Sequence, residues 1–208
     1  MVGEPKYVTL ATSFLSLLLG SLLIRILIKI LMPKYIVFDR DGTLIKHIPY
    51  LFEPNKVELL PTVKESLKLL KSNGFNFLLH TNQSGISRNF FKIEDVISCN
   101  NKLIELLGMG KKLFVEICIA EDYPAKEDSY RKPSPKFGLE IIKKYKIDKQ
   151  NLFYIGDSIS DLETALNIGC KCFGVNTGLV DLKSSNENKI RFDISENLYE
   201  VVNKILKK

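Results

Sequence analysis

The sequence predicts an α/β fold in which helices cover both faces of a parallel β-sheet. Three observations lead to this expectation. Short apolar runs alternate with segments of helical periodicity, the runs lack the in-and-out alternation of a half-exposed sheet, and several helical segments stop at a glycine. Hydrophobic residues make up 45% and charged residues 26% of the 208 positions, as expected for one folded domain with a small appendage.

Five strands are predicted from the apolar, β-branched runs, each short enough to be buried on both faces. They cover residues 35–39, 75–81, 113–120, 151–157 and 171–177. Helices are predicted where apolar residues recur every three or four positions, over residues 61–73, 92–107, 135–146, 161–168 and 195–207. The polar run KSSNENK at 183–189 is typical of a loop.

The beginning of the chain differs in composition from the rest. Val8 to Ile24 form 17 uncharged residues, at the lower edge of the roughly 17–25 that span a bilayer. Arg25 and Lys29 follow this run, so the positive-inside rule favours a membrane anchor over 8–31 with the rest of the chain in the cytoplasm. A packing helix and an untranslated leader before Met32 are the open alternatives.

We therefore divide the chain into an N-terminal hydrophobic segment, residues 1–31, and a domain of residues 32–208. The net charge of +6 comes as dispersed lysines, which is a weak signal for a nucleic-acid surface and fits a small anionic substrate equally well. The four cysteines are too few and too scattered for a disulfide scaffold, so we interpret them as free thiols.

Polar residues follow the predicted strands at the edge where a parallel sheet binds its ligands. They are Asp39, Asp41, Thr81, Asn82, Asp157 and Asp161, together with Arg131 and Lys132 before a helix. Carboxylates, a hydroxyl and cations at one edge suit a divalent cation and a phosphate.

The heptapeptide FDRDGTL at 38–44 carries the sharpest signal. Its two aspartates repel each other unless a cation or a proton neutralises one of them. One carboxylate can then attack phosphorus while the other, protonated, supplies a proton to the leaving oxygen. The alternative is an acidic turn that caps the next segment.

These residues resemble the motifs of the haloacid dehalogenase (HAD) phosphatase superfamily, whose first motif is DxDGT. HTNQSGISR at 80–88, RKPSP at 131–135 and GDSISD at 156–161 follow in the expected order. With IPYLFEPNKVELLP at 48–61, they are similar to the subfamily IIIA branch that contains heptose bisphosphate and histidinol-phosphate phosphatases. The resemblance implies a Rossmann-like HAD fold.

The resemblance implies a role for each motif residue. Asp39 would be the nucleophile that forms an aspartyl-phosphate, and Asp41 the acid for the leaving group and then the base for water. Thr81 and Lys132 would hold the phosphoryl oxygens. Mg²⁺ would be the cofactor, bound by Asp39, the backbone carbonyl of Asp41, and Asp157.

The other implied residues surround this centre. Substrate would contact Tyr50, Asn82, Gln83, Ser84 and Arg131. Asp161 would support the metal site, with helix capping a nearly equal alternative.

The chain departs from the branch at several positions. Of the Cys-x-His and Cys-x-Cys zinc ligands, Cys118 alone is retained, so we expect no zinc and a loop 121–130 ordered by other means. His47 and Pro49 stand in place of the Asp and the Gly of an Asp-x-Gly-Tyr loop, which weakens the heptose assignment. Ser158 replaces a lysine.

Two intervals, Asp41 to Thr81 and Ser84 to Arg131, are too short for a cap domain, which predicts a capless, open site. We expect a Mg²⁺-dependent phosphomonoesterase acting on a small phosphorylated sugar such as D-glycero-D-manno-heptose 1,7-bisphosphate. The alternatives are histidinol phosphate, a polynucleotide 3′-phosphate read by a basic track with aromatics, and a non-catalytic phosphate-binding module.

Three further interpretations concern residues outside the motifs. His80 is predicted to pack in the core. The same is expected of four aromatic residues, Phe75, Phe77, Phe90 and Phe91. For Arg88, a substrate contact and a salt bridge within its loop are equally expected.

Overall fold

The computed structural model describes residues 32–185 and 192–207, together with Gly20. The chain divides into two units, Met1–Pro33 and Lys34–Lys208, and the following account concerns the second. The predicted anchor over 8–31 lies outside the described residues, Gly20 apart. In the described part, no helix is both long enough and apolar enough to cross a membrane.

The domain is built on one six-stranded sheet in which every pair of neighbouring strands is parallel. The strands, in chain order β1 to β6, are Lys34–Phe38, Phe75–Asn82, Phe114–Ala120, Leu152–Gly156, Lys171–Val175 and Ile194–Ser195. Their order across the sheet is β3-β2-β1-β4-β5-β6. The predicted parallel α/β fold is confirmed.

Helices cover both faces of the sheet, as predicted. In chain order, α1 to α6 are Val63–Ser72, Ile93–Leu107, Lys136–Tyr145, Ile159–Ile168, Leu182–Ser185 and Leu198–Lys207, and short 3-10 turns occupy Pro54–Lys56 and Lys149–Asn151. One core cluster joins β1 to α1, α2 and α6, and a second cluster on the other face joins β1 to α3 and α4.

Strand β1 lies in the middle of the sheet, and this position explains why polar and apolar residues do not alternate along its sequence. Ile36 and Phe38 point into the first cluster, whereas Tyr35 and Val37 point into the second. Because both faces of the strand are buried, every position favours an apolar side chain. The strand therefore places the residue that follows it, Asp39, at the centre of the carboxyl edge of the sheet.

Three differences from the predicted elements have local causes. Helix α4 starts two residues earlier than predicted because Ser158 and Asp161 form a capping box at its beginning. Strand β6 was not predicted, since two residues are too few to show a period. Part of the polar run predicted as a loop forms the one-turn helix α5.

Neither of the two described chain intervals that could hold a cap domain contains one. The interval from Asp41 to Thr81 holds a 3-10 turn and α1, and the interval from Ser84 to Arg131 holds α2 and β3. Both intervals are fully described, so the predicted open site is confirmed.

Candidate active site

Three acidic residues and one lysine meet at the carboxyl edge of the sheet. Asp39 follows β1 and Asp157 follows β4, and one oxygen of each lies within 4.8 Å of an oxygen of Asp161. The ammonium of Lys132 lies 2.5 Å from Asp39 Oδ1 and 2.6 Å from Asp161 Oδ1. Asp39 and Asp157 lie side by side because β1 and β4 are neighbouring parallel strands. Asp161 and Lys132 complete the cluster, so residues of three motifs lie together.

Lys132 is buried, and a buried ammonium is stable only with anionic partners. Burial by itself would lower its pKa, but the carboxylates of Asp161 and Asp39 outweigh burial and raise the pKa, so the side chain stays charged. Asn82 positions this residue, because its Oδ1 accepts a hydrogen bond of 3.0 Å from the Lys132 backbone N–H.

One ammonium does not neutralise the acidic cluster. Burial, followed by the charges of the neighbouring carboxylates, raises the pKa of Asp39 despite Lys132. Burial and then Asp161 raise the pKa of Asp157 to about 7. Such shifts mark a site that lacks positive charge, and a divalent cation would supply it.

The surroundings of Asp157 fit a hard cation. A Cβ atom on Gly42 or on Gly178 would lie 2.1 Å from Asp157 Oδ2, so both positions need glycine to leave room for the carboxylate. Thr43 Oγ1 donates to Asp157 Oδ1 over 3.4 Å. Within residues 32–185 and 192–207, Asp39, Asp157 and Asp161 are the one group of potential metal-ligating side chains that are close enough to share an ion, and oxygen donors of this kind suit Mg²⁺.

The side chain of Asp41 lies apart from this cluster. Arg40 Nε and Nη2 donate to its two oxygens over 3.0 and 3.1 Å, and Gln83 Nε2 donates to Asp41 Oδ2 over 2.9 Å. Arg40 is completely buried, and its Nη1 also donates to Asn100 Oδ1. Sequence reasoning missed Arg40, although a cation between two aspartates was a signal that it would pair with one of them.

Gln83, predicted to contact substrate, also hydrogen-bonds two predicted catalytic residues. It is buried, and its amide group donates to Thr81 Oγ1 over 2.7 Å as well as to Asp41. The Thr81 hydroxyl in turn donates to Asp41 Oδ2 over 3.3 Å. Gln83 therefore holds two residues of the predicted catalytic set in place.

Two cavities adjoin at the site and share Asp41, His47 and Asn82. The smaller, about 130 Å³, is lined by Asp39, Thr81, Lys132 and Asp157 as well, and it suits a phosphoryl group. The larger, about 300 Å³, extends outward past the predicted substrate residues, Tyr50, Asn82, Gln83 and Ser84. Arg131, also predicted to bind substrate, lines neither cavity, and its Cζ lies 5.2 Å from the ring centroid of Tyr123.

The loop at 121–130 is held by polar contacts. Lys126 pairs with Asp122 at 2.9 Å and Lys136 with Asp128 at 2.8 Å, while the hydroxyl of Tyr130 donates to Glu140. Cys118 lies beneath this loop as a free thiol, and burial is the main reason that its pKa is raised to about 12. A neutral thiol of this kind is a core residue.

His80 packs in the core, as predicted. Its Nε2 lies 2.8 Å from the carbonyl oxygen of Tyr130, and its Nδ1 lies 2.8 Å from the hydroxyl of Tyr154. The carbonyl can only accept, so Nε2 carries the proton. Burial, together with Lys132, lowers the pKa of His80 to about 3, which keeps the imidazole neutral.

Four phenylalanines were predicted to be core, and three are buried: Phe75, Phe77 and Phe91. The interpretation is wrong for Phe90, which is 56% exposed and packs edge-on against Tyr50 at the rim of the larger cavity. Periodicity could not find this, because the residue sits in a loop between β2 and α2.

Arg88 makes no salt bridge with any described residue. Its Nη1 donates to the Tyr50 hydroxyl over 2.9 Å, and its Cζ lies 3.8 Å from the ring centroid of Tyr123. The salt-bridge alternative is therefore wrong, and Arg88 belongs to the rim of the site.

Comparison with known proteins shows a family match and several related phosphatases. The sequence pattern of one family, described as "Polynucleotide kinase 3 phosphatase", matches residues 34–199. A D-glycero-D-manno-heptose-1,7-bisphosphate 7-phosphatase of Chlorobaculum tepidum is 30% identical over 183 residues, which cover 81% of this chain and 92% of that protein. The bifunctional histidine biosynthesis protein HisB of Legionella pneumophila is 33% identical over 141 residues, 66% of this chain and 40% of HisB.

A solved structure shows the same fold. It is the D,D-heptose 1,7-bisphosphate phosphatase of B. bronchiseptica in complex with magnesium and phosphate, with a TM-score of 0.76 and 25% identity over 84% of this chain and 98% of that one. The chain therefore belongs to the polynucleotide kinase 3 phosphatase family, within the HAD superfamily, and it is a phosphoric monoester hydrolase.

Proposed function

We propose that this chain is a Mg²⁺-dependent phosphomonoesterase that works through an aspartyl-phosphate on Asp39. The observation that carries the proposal is the position of the Lys132 ammonium, 2.5 Å from Asp39 Oδ1 and 2.6 Å from Asp161 Oδ1 beside the small cavity. A cation at this point lowers the repulsion between the nucleophile and an anionic phosphoryl group.

The first step transfers the phosphoryl group to the enzyme. An oxygen of Asp39 forms a bond to phosphorus, and the bond from phosphorus to the leaving oxygen breaks. Protonated Asp41, held by Gln83, gives its proton to that oxygen, so the alcohol leaves neutral. Lys132 and the Thr81 hydroxyl stabilise the negative charge that develops on the phosphoryl oxygens.

The second step releases phosphate. Asp41, now a carboxylate, removes a proton from a water molecule, and the water oxygen attacks phosphorus while the bond to Asp39 breaks. Asp39 is thereby regenerated and Asp41 is again protonated. Mg²⁺ held by Asp39, Asp157 and the backbone carbonyl of Asp41 would supply positive charge beside the phosphoryl oxygens in both steps.

The substrate we propose is a phosphorylated sugar such as D-glycero-D-manno-heptose 1,7-bisphosphate. The C. tepidum and B. bronchiseptica proteins that the chain resembles both carry a heptose 1,7-bisphosphate in their names. The larger cavity, about 300 Å³, has room for a sugar beside the phosphoryl site. His47 and Pro49 line it where the heptose enzymes typically carry other residues, so a different sugar phosphate is within this proposal.

A polynucleotide 3′-phosphate is the second candidate, and the rim favours it. Arg88 lies near the exposed rings of Tyr50 and Tyr123, and the exposed ring of Phe90 packs against Tyr50. Aromatic rings beside an arginine are the combination that binds single-stranded nucleic acid. The match to the polynucleotide kinase 3 phosphatase family agrees with it. Histidinol phosphate is a further alternative, through the HisB relative.

The site is proposed to act in the cytoplasm. The anchor over 8–31 and the domain limits of 32–208 stay predictions. Intact-mass analysis of the native protein shows whether the leader is present, and membrane fractionation of native cells tests tethering and location.

A substrate screen tests the proposal. The full chain is assayed for phosphate release from heptose 1,7-bisphosphate, histidinol phosphate and a 3′-phosphorylated oligonucleotide, with Mg²⁺ and with EDTA. We expect Mg²⁺-dependent release and the highest kcat/KM for the sugar. Turnover that persists in EDTA would overturn the metal dependence, and a preference for the oligonucleotide would select the second candidate.

A further inference from the structure

Strand β3, Phe114–Ala120, forms one edge of the sheet, and no described strand pairs with its outer side. The opposite edge strand, β6, has only two residues, and such shortness protects a sheet edge from pairing with another chain. β3 has seven residues, FVEICIA, with neither proline nor lysine among them, and residues 116–120 pair regularly with β2. The long edge therefore lacks these three common protections.

The single charge in β3 does not guard the edge. The carboxylate of Glu116 pairs with the ammonium of Lys144 and accepts a hydrogen bond of 2.6 Å from the hydroxyl of Tyr145, both on α3. Val115 and Ile117 are 38% and 39% exposed, and both are β-branched residues that favour strand pairing. A charge that is already neutralised on one face of the sheet does little to repel an approaching strand.

The backbone of β3 points polar groups away from the sheet. The carbonyl oxygen of Ala120 accepts a hydrogen bond of 2.7 Å from the backbone N–H of Gln83, so Ala120 faces β2. In a strand, the N–H and C=O of one residue point to the same side, and consecutive residues alternate. Ile117 and Ile119 therefore direct their N–H and C=O groups outward, where an added strand can bind them.

Helix α2 extends this edge surface. A cavity of about 530 Å³ is lined by Ile104 near the end of α2 and by Lys111, three residues before β3. Ile97, which is 44% exposed, lies seven residues before Ile104 and therefore on the same side of the helix. An apolar helix side and a groove thus adjoin the amino end of the exposed edge strand.

The edge is complementary to itself. Ile117 is the middle residue of β3, so antiparallel pairing of two copies about Ile117 uses the whole strand. Lys111 and Lys112 precede the strand and Glu121 follows it; all three are exposed, and none has an ion pair among the described residues. Antiparallel pairing brings the basic end of one copy beside the acidic end of the other.

We propose that two copies of this chain pair antiparallel along β3, with Ile117 of one copy opposite Ile117 of the other. Each Ile117 donates its N–H to the carbonyl oxygen of the other, and the two sheets join into one. The contact is twofold and closes on itself, so it gives a dimer and no longer assembly. It uses no residue of the acidic cluster and does not depend on the proposed function.

Sedimentation velocity of the full chain tests the dimer, in detergent that keeps the predicted anchor over 8–31 from associating. We expect a monomer–dimer equilibrium at micromolar concentrations. Ile117→Lys places two like charges at the centre of the contact and should weaken dimerisation about tenfold or more. Leu166→Lys changes a residue of similar exposure, 43%, on α4 and should have no effect. A chain that stays monomeric, or a dimer that Ile117→Lys leaves unchanged, would overturn the proposal.

Cysteine cross-linking tests the register without adding a charge. Residues that exchange both hydrogen bonds have Cα atoms about 5.5 Å apart, which a disulfide can bridge. Ile117→Cys should therefore give a covalent dimer on mild oxidation. Val115→Cys, equally exposed, should not, because the two copies of residue 115 would lie about 13 Å apart. The wild type with its own cysteines sets the background. Equal cross-linking of both variants, or none in Ile117→Cys, would overturn the pairing.

Charge reversal at the ends of β3 tests the orientation of the two copies. Glu121→Lys should weaken dimerisation about fivefold, because it places a lysine beside the basic end of the other copy. Adding Lys112→Glu should restore the affinity to within about twofold of the wild type. An unchanged affinity in Glu121→Lys, or a double variant weaker than the single one, would show that the basic and acidic ends do not meet and would overturn the antiparallel arrangement.

Discussion

The guanidinium of Arg40 forms a two-point ion pair with Asp41, the residue that follows it in the chain. Arg40 lies at a bend after β1, and its long side chain reaches both oxygens of the next residue, over 3.0 and 3.1 Å. Arg40 also contacts Asn100 on α2, which anchors the guanidinium in the core. The predicted acid–base residue is thereby held by a buried guanidinium, which contacts Asn100 through a separate nitrogen.

Arg40→Gln should therefore reduce catalysis without removing any residue that touches phosphate. We expect kcat to fall about 10- to 100-fold, because Asp41 loses two hydrogen bonds that orient it, and the unfolding free energy to fall by about 3 kcal/mol. Steady-state kinetics and urea unfolding measure the two effects. Asn100→Ala is the matched control, since it removes the other partner of Arg40 and should lower stability with kcat changed less than about threefold. Similar losses of kcat in both variants would contradict the orienting role.

Asp39→Asn should abolish turnover and leave the fold intact. The amide is not nucleophilic, so kcat should fall at least about 10⁴-fold. Removing one of several neighbouring carboxylates should also make the metal-free protein no less stable, because burial and the other carboxylates raise the pKa of Asp39. Phosphate release and thermal unfolding in EDTA test both statements. Glu58→Gln, which alters an exposed acid, is the control, and activity of Asp39→Asn near the wild-type level would refute the nucleophile.

The raised pKa of Asp157, about 7, links stability to pH and to metal. Between about pH 4 and 7 the folded protein retains a proton that the unfolded chain releases, so the stability of the metal-free protein should fall as pH rises through this range. Mg²⁺ must displace that proton, so its stabilising effect should be small at pH 5.5 and full at pH 8. Thermal unfolding with EDTA and with Mg²⁺ across these pH values measures both slopes.

Asp157→Asn provides the control for this linkage. The variant carries no titrating group at that position, so the pH dependence of its metal-free stability should be flatter from pH 4 to 7. A wild-type stability gain from Mg²⁺ that is equal at pH 5.5 and pH 8 would show that proton competition is absent.

His80 should give a pH dependence of the opposite sign. Its pKa is lowered from 6.5 to about 3. Between these two pH values the unfolded chain therefore binds a proton at His80 and the folded protein does not. The stability contributed by neutral His80 is thus present above pH 6.5 and lost as pH falls toward 3. His80→Gln, which retains polar contacts but does not titrate, should lose less stability between pH 6.5 and 4 than the wild type, as measured by urea unfolding. Parallel pH profiles would contradict this role.

The parallel sheet and the catalytic cluster could be predicted because their signals are local. A strand buried on both faces, such as Lys34–Phe38, has an uninterrupted apolar sequence, and the polar residue after it must lie at the carboxyl edge. Asp39, Asp157 and Lys132 were therefore expected at this edge from chain order, and the motif resemblance added the role of each.

The remaining features depend on tertiary contacts that leave no periodic signal. Arg40 pairs with its neighbour and also donates to Asn100, 60 residues away, and the local sequence gives no sign of this second contact. Phe90 is exposed since its loop turns it toward Tyr50 rather than the core. Gly178 lies in a loop without a motif, and its importance shows only in its proximity to Asp157.

Gly178→Ala should weaken metal binding specifically. The added methyl group would lie 2.1 Å from Asp157 Oδ2, so the carboxylate has to move from its position in the acidic cluster. We expect the Mg²⁺ concentration for half-maximal activity to rise about tenfold or more, with activity largely restored at saturating Mg²⁺. Metal titration of activity, together with the Mg²⁺-induced shift in thermal unfolding, measures this. Leu179→Ala alters the next residue without approaching Asp157 and should leave the Mg²⁺ requirement unchanged. A normal Mg²⁺ requirement in Gly178→Ala would mean that Asp157 need not occupy its present position to bind the cation.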